Sequence, residues 1–466
     1  MNFENEKLVK LNEFLSKSKI AIIGLGVSNI PLLDYLHSLN SEVMVFDEKE
    51  IEKVPKEALD KVKECEFEFS FGTNTFEKLN GFDIILRSPS CMPNRKELEQ
   101  EKKNGAIITT EIEMFMNVFP GKIIGITGSD GKTTTTTLIY EILKNNGYNC
   151  YLGGNIGIPL FTKLAETKPE DIAVLELSSF QLMEMKKSPD VAVITNITPN
   201  HLNIHSSYEE YIEAKKNIFK YQDENGILVL NYDNDITKEC KKEAEGKVIL
   251  YSSKEKLEDG VILDNDTIKV CQDKLRRHVL NTSDVIVRGK HNYENACAAI
   301  AATSSFVEIE KAVKVIKEFK GVEHRLEFIR ELDGVKWYND SIGTSPTRTI
   351  AGLNSFDERI TLIAGGYDKN LDYEPLAKPI LANVDNLILI GQTAGKIFDR
   401  VKEEAEKQNK NIKIYMCDEF EQTVLTARRV TKSGDIVLFS PASASFDMFK
   451  NFADRGNKFK SLVNNL

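Results

Sequence analysis

The sequence predicts an α/β fold divided into about three domains, on three observations. Short apolar runs alternate with longer amphipathic stretches from end to end, the pattern of βαβ units and largely parallel sheets. Two of these runs end in glycine-rich loops that lead into helix-compatible segments. The chain has 466 residues, too many for one ordinary core, and the usual domain size suggests about three domains.

In chain order the predicted strands are Ile20–Ile23, Val43–Phe46, Ile84–Leu86, Ile123–Ile126, Ala173–Leu175, Val191–Ile194, Ile227–Leu230, Thr361–Ala364, Leu387–Ile390 and Ile436–Phe439. No fixed-period repeat or long Pro- or Ser-rich linker marks a boundary. The places where each sheet begins and ends put boundaries near Thr110 and Val322, giving domains 1–110, 111–322 and 323–466. The Lys- and Glu-rich stretch from Asp235 to Asp259 reads as a solvated surface of the central domain.

A hydrophobic content of 41% and a charged content of 28% are those of a soluble globular protein. The net charge of −10 argues against general nucleic-acid binding. It does not exclude small anions, because backbone N–H groups bind phosphate on an acidic protein. The seven cysteines form no C-x-x-C pair, so neither zinc nor a disulfide framework is indicated. The polar N-terminus lacks an apolar signal region and no later run approaches a membrane span. A cytosolic protein with no membrane partner is expected.

The strongest local motif is Gly125-Ile-Thr-Gly-Ser-Asp-Gly-Lys-Thr-Thr, between the Ile123 strand and a helical pattern from Thr133 towards Asn145. Loop N–H groups and a helix N-terminus there can cradle phosphates, Lys132 can neutralise β/γ charge and Thr133 can hold Mg²⁺. The strict G-x-x-x-x-G-K-S/T pattern fails at Ile126, and a Gly-rich strand-to-helix turn is the bland alternative. Near the N-terminus, Gly24-Leu-Gly-Val-Ser-Asn follows a strand, and Asp47 ends the next strand where a ribose-binding acid would lie. Asn29 stands in place of the third fingerprint glycine, so a plain tight turn is as good a reading.

Glu176 ends the Ala173 strand, at the sheet end where open α/β folds place ligands, and is a candidate for Mg²⁺ unless it only caps a helix. His201 follows the Val191 strand, as a metal or substrate contact or as a structural histidine. Helical periodicity over Tyr208–Phe219 gives no reason to single out Lys215. Asp340, in Trp337-Tyr-Asn-Asp-Ser, could bind ribose or equally be a turn aspartate.

Taken together, the motifs resemble the Mur ligase family over nearly the whole chain. Its Thr-Gly-x-x-Gly-Lys-Ser/Thr-Thr loop is matched by Thr127 to Thr134, and is followed in family order by Gly153–Gly157, Glu176–Gln181, Asn196–Leu202, Gly289–Asn295 and Glu323–Arg325. Within the family, Ser440–Asp447, Phe449–Gly456 and Gly365–Lys369 look like the branch that adds D-glutamate, and the Asp-Asn-Pro-Arg signature of the diamino-acid branch is absent. The resemblance implies a Rossmann-like N-terminal UDP-binding domain, a central P-loop ATPase-like domain and a Rossmann-like C-terminal domain. It implies ATP with Mg²⁺ as cofactors, and UDP-N-acetylmuramoyl-L-alanine and D-glutamate as substrates joined through an acyl phosphate. A monomer is expected.

By the same resemblance, ATP would be met by Ser129, Asp130, Gly131, Lys132, Thr133, Thr134 and Thr135, with Asn292, Asn295, Arg325 and Asp340. Lys132, Glu176, His201 and Lys215 would carry the catalysis, and Thr133, Glu176, His201 and an N-carboxylated Lys215 would hold the metal. Val27, Ser28, Asp47, Ser88, Asn155 and Gln181 would hold the UDP-sugar, and Thr344, Lys369, Ser445, Phe446 and Phe452 the D-glutamate. Two positions depart from the family pattern: Ile342, where many relatives carry Lys, and Ser90, where a Gly is frequent. Outside the family, a dinucleotide-dependent oxidoreductase would explain Gly24–Asn29 but leaves Lys132 without a role, and a non-catalytic ATP-binding regulator would bind nucleotide without releasing phosphate.

Overall fold

The computed structural model describes residues 4–199, 205–287, 289–369 and 371–466. The chain forms two compact units, Met1–Leu280 with Glu294–Ile316, and Asn281–Tyr293 with Lys317–Leu466. Every strand expected from an apolar run is present.

The first unit holds two sheets. One contains β1 (Lys19–Ile23), β2 (Glu42–Asp47), β3 (Glu68–Phe71), β4 (Ile84–Arg87) and β5 (Ile107–Thr109) in the order β3-β2-β1-β4-β5, with every neighbouring pair parallel. The strand order reverses between β1 and β4, which opens a crevice at their C-terminal ends. The other contains β6 (Lys122–Thr127), β7 (Cys150–Gly154), β8 (Ile172–Glu176), β9 (Val191–Ile194), β10 (Ile227–Asn231), β11 (Lys247–Ser252), β12 (Gly260–Asp264), β13 (Thr267–Gln272) and β14 (Leu275–Asn281). Their order is β14-β13-β12-β11-β10-β9-β6-β8-β7, so β6 lies at the switch point with β8 on one side and β9 on the other. One apolar cluster runs from Leu15 and Ile20 through Phe115 and Phe161 to Leu175 and Ile194, so these two sheets share a core.

The Lys- and Glu-rich stretch does more than present charge to solvent. It forms a short helix, Asp235–Cys240, and then β11, whose Tyr251 and Ser252 are buried and whose backbone pairs with β10 in parallel. Its charges are a solvated face, but its backbone extends the sheet.

The second unit is built on β15 (Glu327–Leu332), β16 (Val335–Asn339), β17 (Ile360–Ala364), β18 (Val384–Ile390), β19 (Lys413–Cys417) and β20 (Ile436–Phe439), ordered β15-β16-β20-β17-β18-β19. Only β15 runs antiparallel to its neighbour. Separate apolar clusters cover its two faces, which is why β17 and β20 are buried at every position. Among the described residues, no helix is long and apolar enough to cross a membrane.

Candidate active site

The phosphate-type loop leaves β6 at Thr127, whose buried hydroxyl donates to Leu177 O at 2.6 Å. Gly128 has φ +151°, and a Cβ there would lie 1.9 Å from Thr195 Oγ1, so the loop closes on glycine alone. The segment after β9 stitches the loop in place: Ser129 N donates to Asn196 O at 2.8 Å, and Asp130 N to Asn196 Oδ1 at 3.0 Å. Ser129 Oγ lies 2.9 Å from Tyr211 OH. Gly131, at φ +77°, caps the helix Lys132–Asn145, whose first N–H groups have no intrahelical partner by construction. Lys132 Nζ folds back to donate to Gly128 O at 3.0 Å and Ser129 O at 2.9 Å. Thr133 is half-buried, and Thr134 and Thr135 are buried. Thr135 Oγ1 donates at 3.2 Å to Asn295 Oδ1, on the helix Lys290–Thr303. Asn292 and Asn295, three apart, lie on one side of that helix.

Glu176 ends β8 beside the loop and is 1% exposed. Asn155 donates Nδ2 to its Oε1 at 2.7 Å. Its Oε2 is buried with no hydrogen-bond partner among the described residues. Lys215, in the helix Tyr208–Lys216, is 1% exposed, so the surface reading that periodicity allowed does not hold. Its Nζ donates to Gly128 O at 2.8 Å and Thr127 Oγ1 at 3.3 Å, and lies 4.7 Å from the Tyr211 ring centre. Burial, reinforced by the Lys132 ammonium, holds the Lys215 amine well below the usual lysine range, against the pull of Glu176 and Asp130.

His201 lies outside the described residues. His205, four positions on, lies within the described residues. It is buried, with Nε2 3.0 Å from Ser179 Oγ, Nδ1 3.3 Å from Glu210 Oε2, and its ring stacked on Phe180 at 5.1 Å. Gln181 uses its side-chain oxygen in a capping box with Ser178, accepting from Ser178 N at 3.0 Å.

A second group gathers at the β1/β4 crevice. Val27 is 75% exposed and Ser28 is half-buried. The Asp47 carboxylate accepts from Leu25 N and Lys49 N, each at 3.0 Å, and so shapes the loop after β1. Asn29 is buried and donates to Ile23 O and Gly24 O, both at 3.0 Å. Its carboxamide closes the turn where the dinucleotide fingerprint would have a glycine. Ser88 is buried, and its hydroxyl lies 2.9 Å from that of Ser90, so the serine that departs from the family pattern braces its neighbour.

The remaining residues lie at strand ends of the second unit. Asp340 follows β16 and is buried, accepting from Ser440 Oγ at 2.6 Å and Leu326 N at 3.3 Å. Burial pushes its carboxyl up to about 7 despite these bonds. Arg325 is half-buried between His324 and Leu326, both of which take positive φ. Lys369, after β17, sets its Nζ 5.4 Å from the Phe446 ring centre. Phe446 is 57% exposed, Ser445 beside it is buried, and Phe452 opens the helix Phe452–Asn464. Thr344 is half-buried on the loop after Ser341.

A phosphate-type loop at a sheet switch point, flanked by a buried carboxylate with one unsatisfied oxygen and a buried lysine, defines an α/β protein of the P-loop class. The chain belongs to the Mur ligase family. It matches the Mur ligase MurD-like N-terminal domain over residues 18–110, the Mur ligase middle domain over 126–303 and the Mur ligase glutamate ligase domain over 324–443. It is 48% identical to the UDP-N-acetylmuramoylalanine--D-glutamate ligase of Acetivibrio thermocellus, over 98% of this chain and 99% of that one. It is 47% identical to the protein of the same name from Clostridium tetani, over 99% and 100%. Among solved structures, it resembles UDP-N-acetylmuramate-alanine ligase from Thermotoga maritima at a TM-score of 0.57 and 17% identity, over 96% of this chain and 99% of that one. It also resembles a pseudomurein peptide ligase type C from Methanothermus fervidus, with a TM-score of 0.52 and 20% identity over 96% and 100%. These two likenesses establish a shared fold.

Proposed function

We propose that the chain joins D-glutamate to UDP-N-acetylmuramoyl-L-alanine in the cytosol, with cleavage of ATP to ADP and phosphate, as a monomer with domains at 1–110, 111–322 and 323–466. The observation that carries the reading is the pairing of the Lys132 loop with Glu176 and Lys215 at the end of β6, in a chain 47–48% identical to relatives that bear this activity in their names.

The substrate's L-alanyl carboxylate attacks the γ-phosphorus of ATP, the bond to the β-phosphate oxygen breaks, and an acyl phosphate forms. Lys132 releases the Gly128 and Ser129 carbonyls and moves its charge to the β/γ-phosphates, while the N–H groups opening the helix at Lys132 face the phosphates. Asn292, Asn295, Arg325 and Asp340 serve the nucleoside and phosphates. The neutral amine of D-glutamate then attacks the acyl carbon, the bond to the phosphate oxygen breaks, and the nitrogen gives up one proton that leaves with the phosphate, which completes the amide. Lys369 meets a D-glutamate carboxylate, with Phe446 under its ammonium and Thr344, Ser445 and Phe452 around the amino acid. Val27, Ser28, Asp47, Ser88, Asn155 and Gln181 hold the UDP-sugar.

The residues present fit Mg²⁺. A buried carboxylate oxygen without a partner suits an oxygen-seeking cation. The family resemblance adds a further anionic ligand to Glu176. By that resemblance the ligand is Lys215, buried against Gly128 O: its amine, in the neutral form that burial favours, would add CO₂ and lose one proton to become a carbamate with two oxygens. Thr133, Glu176, His201 and carboxylated Lys215 would hold the ion, whose chemistry is to neutralise charge on the transferring phosphoryl group.

The test is phosphate release from ATP with UDP-N-acetylmuramoyl-L-alanine present, comparing D-glutamate, L-glutamate, D-alanine, L-lysine and no amino acid. Release that depends on D-glutamate is expected; release with another amino acid moves the specificity, and none with any of them refutes the reading.

A further inference from the structure

Two separate segments of the second unit, at Ser341 and at Ser443–Ala444, meet on one buried side chain, that of Arg455. It is 1% exposed, in the first turn of the helix Phe452–Asn464. Its Nε donates to Ser341 Oγ at 3.1 Å, Nη1 to Ala444 O at 2.7 Å, and Nη2 to Ser341 O at 2.9 Å and Ser443 O at 3.1 Å. All four acceptors are neutral. A buried guanidinium held by carbonyls and a hydroxyl loses solvation without gaining an ion pair, and burial lowers its pKa to about 10. An arginine kept on these terms fixes geometry, because its planar fork directs several N–H bonds at once.

The geometry so fixed is that of irregular backbone. Ser341 opens the loop that carries Thr344, and its hydroxyl also donates to Phe452 O at 2.7 Å. Ala444 O accepts from Tyr367 N at 3.0 Å as well as from Arg455, which ties in the segment ending at Lys369. That approach requires Gly366, where a Cβ would lie 2.3 Å from Ala444 O and 3.0 Å from Arg455 Nη1. Ser443 and Ala444 lead directly to Ser445 and Phe446. Thr344, Lys369, Ser445–Phe446 and Phe452 therefore stand on separate stretches of chain joined through one guanidinium and the Ala444 carbonyl it holds.

We propose that Arg455 is a positioning residue for the amino-acid substrate: its guanidinium sets the spacing among these stretches, so that an acidic amino acid is held in one register. This rests on the function proposed above for the same site. Loosening the clamp costs binding of the amino acid more than that of the UDP-sugar, whose residues stand on other strands; Asp340, next to Ser341, links the nucleotide to the same loop.

The test uses the full chain with Arg455→Lys, which keeps the charge and loses the fork, and Ser341→Ala, which removes one acceptor with little change in volume. Phosphate release gives kcat and separate KM values for D-glutamate, ATP and UDP-N-acetylmuramoyl-L-alanine. For Arg455→Lys the D-glutamate KM is expected to rise on the order of 10- to 100-fold, the scale of a misplacement of about 1 Å, with the KM for UDP-N-acetylmuramoyl-L-alanine within about twofold. Ser341→Ala is expected to show the same selectivity at smaller size, and keeps the test decisive where the arginine variant fails to fold. Equal changes in all three KM values, or no change in folded protein, overturn the proposal. A parent enzyme that shows no D-glutamate dependence overturns the functional reading instead.

Discussion

Glu111 opens the helix Glu111–Val118 and is 5% exposed. Its Oε1 accepts from Leu160 N at 2.9 Å and Phe161 N at 2.7 Å. Burial pushes its carboxyl from 4.5 up to about 7, and the two N–H bonds offset only part of that. The native state therefore binds the proton more tightly than the unfolded state. The stability linked to this group is fully present below pH 4.5 and is lost as pH rises to about 7. At 1.36 kcal/mol per pKa unit, the loss is about 3 kcal/mol. Glu111→Gln keeps an oxygen for both N–H groups and never ionises, so it should match the parent near pH 5 and exceed it by about 3 kcal/mol at pH 8. At about 2 °C per kcal/mol for a unit of this size, the variant's Tm should lie about 6 °C above the parent's at pH 8. Thermal unfolding followed by circular dichroism from pH 5 to 8 measures this, and every other titrating group moves both curves together. A Tm difference that stays constant across the range would refute a neutral, buried Glu111.

Three further outcomes follow from the site. Asn155→Ala strips the donor from Glu176 Oε1 and should raise the Mg²⁺ needed for half-maximal phosphate release by about 10- to 100-fold; an unchanged requirement would remove Glu176 from the metal site. Lys215→Arg cannot present a neutral amine, so activity should fall to background and the carbamate signal expected by NMR in parent protein equilibrated with ¹³C-bicarbonate should vanish; an active arginine variant contradicts the lysine's role. Gly131→Ala places a Cβ 2.5 Å from Asn295 Oδ1 at φ +77°. The left-handed backbone alone costs about 1–2 kcal/mol, so ATP affinity measured by calorimetry should drop about tenfold while binding of the UDP-sugar is unaltered.

Most strands buried on both faces were legible, although β12 and β16 were not. Ile123–Ile126, Ala173–Leu175 and Val191–Ile194 read as uninterrupted apolar runs because helices or other sheet layers cover parallel strands. The phosphate loop was legible because its glycines answer local backbone demands at Gly128 and Gly131. Neither signal reached β11, where charged neighbours mask a run of mixed burial, nor β14, most of which is exposed.

The sequence by itself determined the α/β class, the order of the strands along the chain, the position of the phosphate loop and, through family motifs, the residues to examine around it. Tertiary structure alone decided what the polar side chains do. Lys215 looks like a surface lysine by helical period, yet it is buried against Gly128, 87 positions away. Asn29 fills its own turn, Asp47 ties down the backbone of Leu25, and Arg455 reaches Ser341 across 114 positions. Periodicity and glycine placement are properties of neighbouring residues, whereas desolvation, pKa and hydrogen-bond partnership are set by whatever the folded chain brings close from elsewhere.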